Sequence, residues 1–329
     1  MQVFRKNMEK TFYFQHTVPA RQFQRYPLNW DDIFSRNAPL AVEIGFGNGA
    51  FLMDWSIKMP AWNFVGIELS GASLEKLQKR ILNSGVSNVA PLHEDARFAL
   101  REFFPADSLM HVMMNFPDPW PKDRHRRRRL LDEDFVKILA MVLKKSHSYE
   151  LVTDQQWYAE HAFNLFGKSA CFEVLPIEKN PSRPVTTKYE QKWQEMGRDS
   201  FRVRAVKIKS ARVNRLLEDA QMPHAFVEKE ITSKIIENLI GFTHKEVDKL
   251  FVVKEYFRDA DEKRFLLRIV AKDGGYQQDF YLRIVRQNKN RWLVKLDPTI
   301  QPYRTPAVKM AVWRIGRCLN AENEPLKSR

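Results

Sequence analysis

The stretch from Met113 to Arg129, MMNFPDPWPKDRHRRRR, holds the residues best suited to chemistry. An apolar run ending at Asn115 predicts a buried strand, and prolines at alternate positions after it cannot donate the hydrogen bonds of a sheet or a helix. We therefore predict a stiff loop that carries one carboxylate, Asp118, and one large aromatic ring, Trp120. A block of cations follows: Lys122, Arg124, Arg126, Arg127, Arg128 and Arg129. An acid and a ring beside concentrated positive charge indicate chemistry on a flat polyanion such as nucleic acid.

A glycine-rich turn is the second candidate site. Gly45, Gly47 and Gly49 follow a predicted strand and open a helix, so a ligand can approach the backbone where a side chain would collide. The spacing alone fits both dinucleotide-binding proteins and S-adenosylmethionine-dependent methyltransferases. Glu43 favours the second class, because a carboxylate just ahead of the turn repels a pyrophosphate and attracts a cationic sulfonium and ammonium ligand.

Two further carboxylates follow neighbouring predicted strands. Glu68 ends the second strand and is placed to accept hydrogen bonds from ribose hydroxyl groups. Asp95 follows the third strand and is a candidate partner for an adenine amino group. Taken singly, these acids and Glu43 are more typical of a solvated surface. Because all three stand at strand ends, we predict that they line one cofactor site.

Strands and helices alternate from Leu40 to about Ser210, which predicts an α/β fold with a parallel sheet covered on both faces. The predicted strands are LAVEI, NFVGIELS, NVAPLHEDA, SLMHVMMNF, HSYELVTD and FRVRAVKIK. In such sheets the ligand lies at the carboxyl ends of the strands. The glycine turn, the acids and the proline-rich loop all occur there.

The chain divides into three predicted regions. Residues 1–37 form an N-terminal arm with a short helix at Asn29 to Ser35, and residues 38–210 form the α/β domain. Residues 211–329 begin with a helical linker that ends at Pro223. The remainder is predicted as a small α+β domain, because it contains four β-rich segments and a closing helix with Thr305 as N-cap and Pro306 at its first position. The β-rich segments are FVVKEYF, KRFLLRIVAK, QDFYLRIVRQ and RWLVKLD.

Composition restricts the class of protein. A chain of 329 residues is long enough for two domains, and its hydrophobic content is that of a globular protein. We expect a cytoplasmic protein without a membrane span, because the sequence lacks a long apolar run and the apolar region of a signal peptide. Cys171 and Cys318 lack CxxC spacing and nearby histidines, so neither a disulfide scaffold nor a metal site is expected. The net charge of +14 favours a polyanionic partner.

Several motifs together resemble one family. They are EIGFGNG at 43–49, NFPDPWPK at 115–122, Arg124-His125, Thr153-Asp154 and TKYE at 187–190. With these motifs the chain resembles the bacterial single-subunit tRNA (guanine-N7-)-methyltransferases over roughly residues 38–208. One departure is the run of four arginines after His125, which indicates a stronger phosphate contact. The C-terminal region has no counterpart in the short bacterial members, although longer members exist.

The resemblance implies a class I, Rossmann-like methyltransferase fold that uses S-adenosylmethionine and has tRNA as its partner. It implies methylation of N7 of the guanosine at position forty-six, in the variable loop. Glu43, Glu68, Asp95 and Asp118 fall on cofactor-contacting positions, and Asp118 also takes the catalytic role. Positions for substrate recognition fall on Lys122, Asp154, Thr187, Lys188, Tyr189 and Glu190.

The chemistry of guanine N7 narrows the role of Asp118. This nitrogen has an in-plane lone pair and no proton, so its methylation needs orientation and no general base. Methylation makes the imidazole ring cationic, and a fixed carboxylate stabilises that charge as it develops. We therefore expect Asp118 to orient the guanine and offset its charge, and Glu190 to accept from N1 and the exocyclic amine. Trp120 either stacks on the base or packs under the loop.

The sequence is compatible with alternative functions for the protein and with alternative roles for some of its residues. A non-catalytic RNA-binding protein with the same fold is a second reading, and a nicotinamide dehydrogenase is a third, which Glu43 disfavours. The basic run either contacts phosphates or forms a solvated helix start. Basic and aromatic residues of the C-terminal domain either extend the tRNA surface or face solvent. The sequence leaves open whether the protein is a monomer or a homodimer.

Overall fold

The computed structural model describes residues 16–121, 124, 129–183, 185, 196–217 and 221–321. The chain forms two compact units. The first contains the described residues up to Ala20 together with Pro27–Asn214, and the second contains Arg21–Tyr26 and the described residues from Arg215 onward. The predicted N-terminal arm is therefore divided between the two units.

The first unit alternates strands and helices. Its elements are α1 (Trp30–Phe34), β1 (Leu40–Ile44), α2 (Ala50–Lys58), β2 (Asn63–Glu68), α3 (Gly71–Ser84), β3 (Val89–His93), α4 (Ala96–Phe103), β4 (Leu109–Asn115), α5 (Glu133–Val142), β5 (Leu143–Thr153), α6 (Gln156–Gly167), β6 (Phe172–Val174), β7 (Glu178–Lys179) and β8 (Phe201–Lys207). A 3₁₀ turn at Ala20–Gln22 precedes α1. The sequence predicted the six longer strands and their alternation with helices, but not the short strands β6 and β7.

The strands form one eight-stranded sheet in the order β3-β2-β1-β4-β5-β8-β6, with β7 also paired to β8. Strands β3, β2, β1, β4 and β5 run parallel, and β8 runs antiparallel to β5, β6 and β7. Every residue of β1 is buried, as expected for a central parallel strand covered on both faces. This is the α/β sheet with mainly parallel strands that the sequence predicted.

Local signals explain where the helices begin and end. Ser70 caps α3 by accepting a hydrogen bond from Ser73 N, and Gly85 ends the helix at φ 67°. Asp132 caps α5 in the same way, through Phe135 N. In α1, Trp30 is buried and stacks on Phe104 at 4.7 Å between ring centroids. The predicted short helix at the N-terminus is thus packed into the first unit.

The second unit is an antiparallel sheet with one long helix. Its elements are β9 (His224–Val227), α7 (Ser233–Glu237), β10 (Thr243–Glu246), β11 (Lys249–Arg258), β12 (Arg264–Asp273), β13 (Tyr276–Asn288), β14 (Arg291–Leu296) and α8 (Pro306–Asn320). The strand order is β10-β11-β12-β13-β14-β9. Alternate residues such as Phe265, Leu267 and Ile269 pack against the apolar side of α8 and form a separate core. The predicted α+β class is confirmed, and β9, β10 and α7 were not predicted.

The helical linker predicted for residues 211–223 is wrong. Residues 211–217 and 221–223 have no regular secondary structure. Leu217 is instead buried, at 5% exposure. Tertiary burial has overridden a weak helix propensity.

Two kinds of feature are absent from the described residues. None of the helices there is both long and apolar enough to cross a bilayer. No group of three or more His, Cys, Asp or Glu side chains in those parts of the chain is arranged to hold a metal ion.

Candidate active site

The candidate site lies along the carboxyl edge of the parallel sheet. The glycine turn follows β1, Asp95 follows β3 and Asp118 follows β4, while Glu68 is the last residue of β2. The strand register pairs Ile44 with both Ile67 and Met114, so these ends lie side by side. The fold therefore brings the predicted cofactor residues to one edge, and Asp154 follows β5 at the same edge.

The glycine turn has a backbone that favours glycine. Gly45, Gly47 and Gly49 have φ values of 69°, 55° and 73°. A Cβ atom at Gly49 would lie 2.6 Å from Leu77 Cδ1, so this glycine permits close packing of the turn against α3. A Cβ atom at Gly45 or Gly47 would meet nothing within 4 Å. The space beside these two glycines is where a ligand can approach the backbone.

Glu68 holds the glycine turn to the start of α3. Its Oε2 accepts a hydrogen bond from Gly47 N at 3.2 Å, and its Oε1 accepts from Leu69 N at 2.8 Å and Ser70 N at 3.0 Å. A carboxylate has about four acceptor positions, so one remains for a hydroxyl donor of a ligand.

Asp95 likewise has a structural contact of its own. Its Oδ1 accepts from Phe98 N at 2.9 Å and caps α4. This bond sets the direction of the carboxylate at the sheet edge.

Glu43 is buried and only partly satisfied. Asn115 Nδ2 donates to its Oε1 at 2.9 Å, while its buried Oε2 has no hydrogen-bond partner among the described residues. Burial raises the pKa of Glu43 to about 7, although the Asn115 bond and the charge of Arg183 act in the opposite direction. An unpaired buried carboxylate oxygen suits a cationic ligand.

A buried polar network extends from Glu43 across the sheet. Arg183 Nη2 donates to Asn115 Oδ1 at 2.8 Å, and Arg183 Nε lies 3.8 Å from Glu150 Oε1. Glu150 Oε2 in turn lies 3.4 Å from Arg204 Nε. The side chains of Arg183 and Glu150 are only 3% and 6% exposed. This network links β1, β4, β5 and β8 to the segment that precedes residues 187–190.

The loop after β4 is held by Arg129. Its guanidinium donates to Trp120 O at 3.1 Å and to Pro121 O at 3.2 Å, and it lies 5.1 Å from the centroid of the Trp157 ring. Phe116 and Trp120 have φ values of 46° and 47°. Asp118 is exposed at the tip of this loop. Arg129 was predicted as a phosphate contact, and its Nε and Nη2 atoms here hold the backbone of the loop.

Comparison with known proteins identifies the family. A family model described as a putative methyltransferase matches residues 37–203. A Thermotoga maritima protein named tRNA (guanine-N(7)-)-methyltransferase is 40% identical over 94% of this chain and 99% of its own length. The chain belongs to this methyltransferase family.

Other members differ in how much of the chain they match. A Coprothermobacter proteolyticus member is 33% identical over 93% of this chain and 94% of its own length. A Thermus thermophilus member is 38% identical over 58% of this chain and 61% of its own length. The similarity thus covers nearly the whole chain for some members and little more than half of it for another.

Two of the nine residues predicted to bind substrate lie in the described part of this family member. Arg124 is exposed, and Asp154 is half-buried with its Oδ2 accepting from Gln155 Nε2 at 2.7 Å. The other predicted substrate residues lie outside the described part of the chain: Lys122, Arg126, Arg127, Thr187, Lys188, Tyr189 and Glu190.

Sequence reasoning missed the roles of Asn115, Glu150 and Arg183. The register pairs Glu43 with Met113, Met113 with Glu150 and Glu150 with Arg204 in one row across four strands. Charged residues inside otherwise apolar strands were a signal for such a network. Its connection through Arg183 required the fold.

Proposed function

We propose that the protein transfers a methyl group from S-adenosylmethionine to N7 of the guanosine at position forty-six in the variable loop of tRNA, forming 7-methylguanosine. The main support is the nearly full-length similarity to the Thermotoga maritima enzyme of that name. The row of acids at the carboxyl edge of the sheet supports the same reaction. Acting on tRNA, the protein would work in the cytoplasm.

The open backbone and the carboxylates of the site fit the polar groups of S-adenosylmethionine. Gly45 and Gly47 leave room for a ligand at the backbone, and Glu43 has an unpaired buried oxygen for a cationic group. Glu68 retains acceptor capacity for ribose hydroxyls, and Asp95 is directed by its capping bond toward the same edge. When bound, this cofactor supplies an electrophilic methyl group that the lone pair of guanine N7 can accept.

Asp118 is proposed as the catalytic residue and as a further cofactor contact. It stands on a loop fixed by two Arg129 hydrogen bonds and by the buried end of β4. A carboxylate held in this way needs little reorganisation when the guanine ring becomes cationic. Its task is to orient the guanine and offset the new charge, and no proton is removed from N7.

The remaining predicted residues are assigned to tRNA. Exposed Arg124, with Lys122, Arg126 and Arg127, would contact backbone phosphates through charge. Asp154 and residues 187–190 would recognise the guanine. Arg183, four positions ahead of this segment in the chain, donates to Asn115 Oδ1 at the end of β4.

The proposal is tested by incubating tRNA with labelled S-adenosylmethionine and analysing the nucleosides. We expect 7-methylguanosine in wild-type reactions. A transcript with 7-deazaguanosine at position forty-six, which has no N7, should accept no label. Absence of 7-methylguanosine overturns the reaction, and undiminished labelling of the 7-deaza transcript overturns the position.

A further inference from the structure

Asp118 stands between two residues whose backbone lies in the left-handed region. Phe116 and Trp120 have φ values of 46° and 47°, which cost energy for bulky side chains. Such a conformation persists only where the surrounding structure holds it. Pro117 and Pro119 fix φ on both sides of Asp118. The direction of the carboxylate therefore depends on how Phe116 and Trp120 are held.

The sheet holds the first of these two residues. Phe116 N donates to Val152 O at 2.7 Å, which continues the pairing of β4 with β5 beyond Asn115. Val152 is itself fully buried. This end of the loop is therefore fixed to β5.

Arg129 holds the second. Its Nε donates to Trp120 O at 3.1 Å and its Nη2 to Pro121 O at 3.2 Å, so one planar guanidinium bridges two successive carbonyl groups. The same group lies 5.1 Å from the ring centroid of Trp157, near the start of α6. Arg129 thus ties the far end of the loop to the helix that follows β5.

The chain directly after Arg129 is also fixed. Arg97 of α4 donates to Leu130 O at 2.8 Å and forms an ion pair with Asp132 through two contacts of 2.7 and 2.8 Å. Leu131, between these two residues, is buried. The Arg129 side chain therefore extends from a rigid base and can hold the loop in one place.

We propose that Arg129 is a positioning residue for Asp118, with Trp157 as the ring that aligns its guanidinium. The inference rests on the proposed function, in which Asp118 orients the guanine. Without Arg129, Trp120 can relax to a negative φ, and the nearby Asp118 turns with it. A displacement of about 1 Å can lower a rate about 100-fold, so the loss falls on the chemical step.

Contact with a tRNA phosphate is the competing role for Arg129. A lysine in its place keeps the charge for a phosphate, but it cannot bridge two carbonyl groups or stack flat on an indole ring. A phosphate contact also contributes to the salt dependence of tRNA binding, by about one unit in the slope of log Kd against log salt. Rate and salt dependence together therefore separate the two roles.

The experiment measures single-turnover methylation by the full-length protein at saturating tRNA and S-adenosylmethionine. We expect Arg129→Gln and Arg129→Lys each to lower the rate about 100-fold, with no change in the Kd for tRNA or in its salt slope. Trp157→Leu should lower the rate about tenfold, and Trp157→Phe should lose less because it keeps a ring. Arg198→Gln removes an exposed arginine outside the loop and should react like the wild type.

A double variant tests whether Arg129 acts through Asp118. Adding Arg129→Gln to Asp118→Asn should cause no further loss of rate, because residues that act as a unit are not additive. Hydrogen exchange of the peptide that contains Phe116 and Trp120 gives a readout that needs no methyl transfer. Exchange there should be faster in both Arg129 variants than in the wild type, since the loop then opens more easily.

Other results overturn the inference. A full single-turnover rate in Arg129→Gln, or losses that multiply in the double variant, would show that Arg129 does not position Asp118. A salt slope that falls by about one in Arg129→Gln and returns in Arg129→Lys would assign Arg129 to a phosphate. If wild-type protein forms no 7-methylguanosine, the proposed function fails, while hydrogen exchange still reports whether Arg129 holds the loop.

Discussion

At the scale of single residues, Glu43 couples cofactor binding to pH. Asn115, Arg183 and Glu68 are the polar and charged groups that act on it, and burial outweighs the two that favour ionisation. In the free protein the carboxyl group is protonated below its raised pKa of about 7. A cationic ligand favours the ionised form, so binding at lower pH must first expel a proton.

We therefore predict that the affinity for S-adenosylmethionine rises with pH, by up to about tenfold per pH unit below pH 7. Glu43→Gln should bind more weakly and with little pH dependence. Calorimetry in buffers of different ionisation enthalpy measures the released proton directly. Binding without proton release at pH 6 would contradict a protonated Glu43.

Asp118 gives a second prediction at this scale. Asp118→Asn keeps the shape of the side chain and removes its charge, so kcat should fall about 100- to 1000-fold, as for other fixed electrostatic groups. Single-turnover methylation of tRNA measures the loss. Asp134→Asn, at an exposed carboxylate that pairs with Lys137, is the matched control. Full turnover by Asp118→Asn with an unchanged pH profile would exclude the electrostatic role.

At the scale of elements, Gly49 is the glycine of the turn where an added Cβ would collide with α3. Alanine at Gly45 or Gly49 should cost about 1 to 2 kcal/mol for a positive φ. At Gly49 the added Cβ also meets Leu77, including its Cα at 3.3 Å, which adds about 1 to 3 kcal/mol of overpacking. Urea unfolding should thus show Gly49→Ala as the less stable variant. Equal losses would mean that α3 moves away freely.

The buried network of Asn115, Glu150 and Arg183 gives a second prediction at the scale of elements. Arg183→Ala removes one partner of Glu150 and of Asn115, and breaking such a buried pair costs about 3 to 5 kcal/mol. The KM for tRNA should also rise, because the predicted guanine-recognition residues 187–190 begin four positions after Arg183. Arg198→Ala, at an exposed arginine in the same connection, is the control for both measurements. A stable Arg183→Ala protein with normal KM would show that the network has neither role.

The elements also show what a sequence can predict. Long apolar runs and caps such as Ser70 and Gly85 located the sheet and its helices, because burial and capping are local signals. Short strands such as β6 have too few residues to show a period. The network through Arg183 joins residues far apart in the chain, and no local pattern contains such a contact.

At the scale of the whole molecule, the chain passes between the two units more than once. Arg21–Tyr26 belongs to the second unit, while the residues on both sides of it belong to the first. Arg21 Cζ lies 5.0 Å from the ring centroid of Tyr303, and the Tyr26 and Tyr303 rings meet edge to face at 6.1 Å. Buried Tyr303 thus contacts both ends of this short segment.

Tyr303→Ala should free the segment while leaving the strand-end acids in place. Trypsin should then cleave after the exposed Arg25 markedly faster than in the wild type, since proteases act on backbone that opens locally. Limited proteolysis followed by mass spectrometry measures the rate at that site. Tyr276→Ala, at a residue whose ring lies 6.4 Å from Tyr303, is a neighbouring control. Unchanged cleavage after Arg25 would show that other contacts hold the segment.

The path of Arg21–Tyr26 also sets an order of events during synthesis. Its flanks can pair early, because Val18 N donates to Pro91 O at 2.9 Å and Leu28 N donates to Phe103 O at 3.0 Å. Its own partner Tyr303 leaves the ribosome about 280 residues later, which takes roughly 15 to 55 seconds at ordinary translation rates. The segment must therefore wait as a small closed loop on a largely formed first unit. One of the earliest parts of the chain to be made is among the last to reach its native contacts.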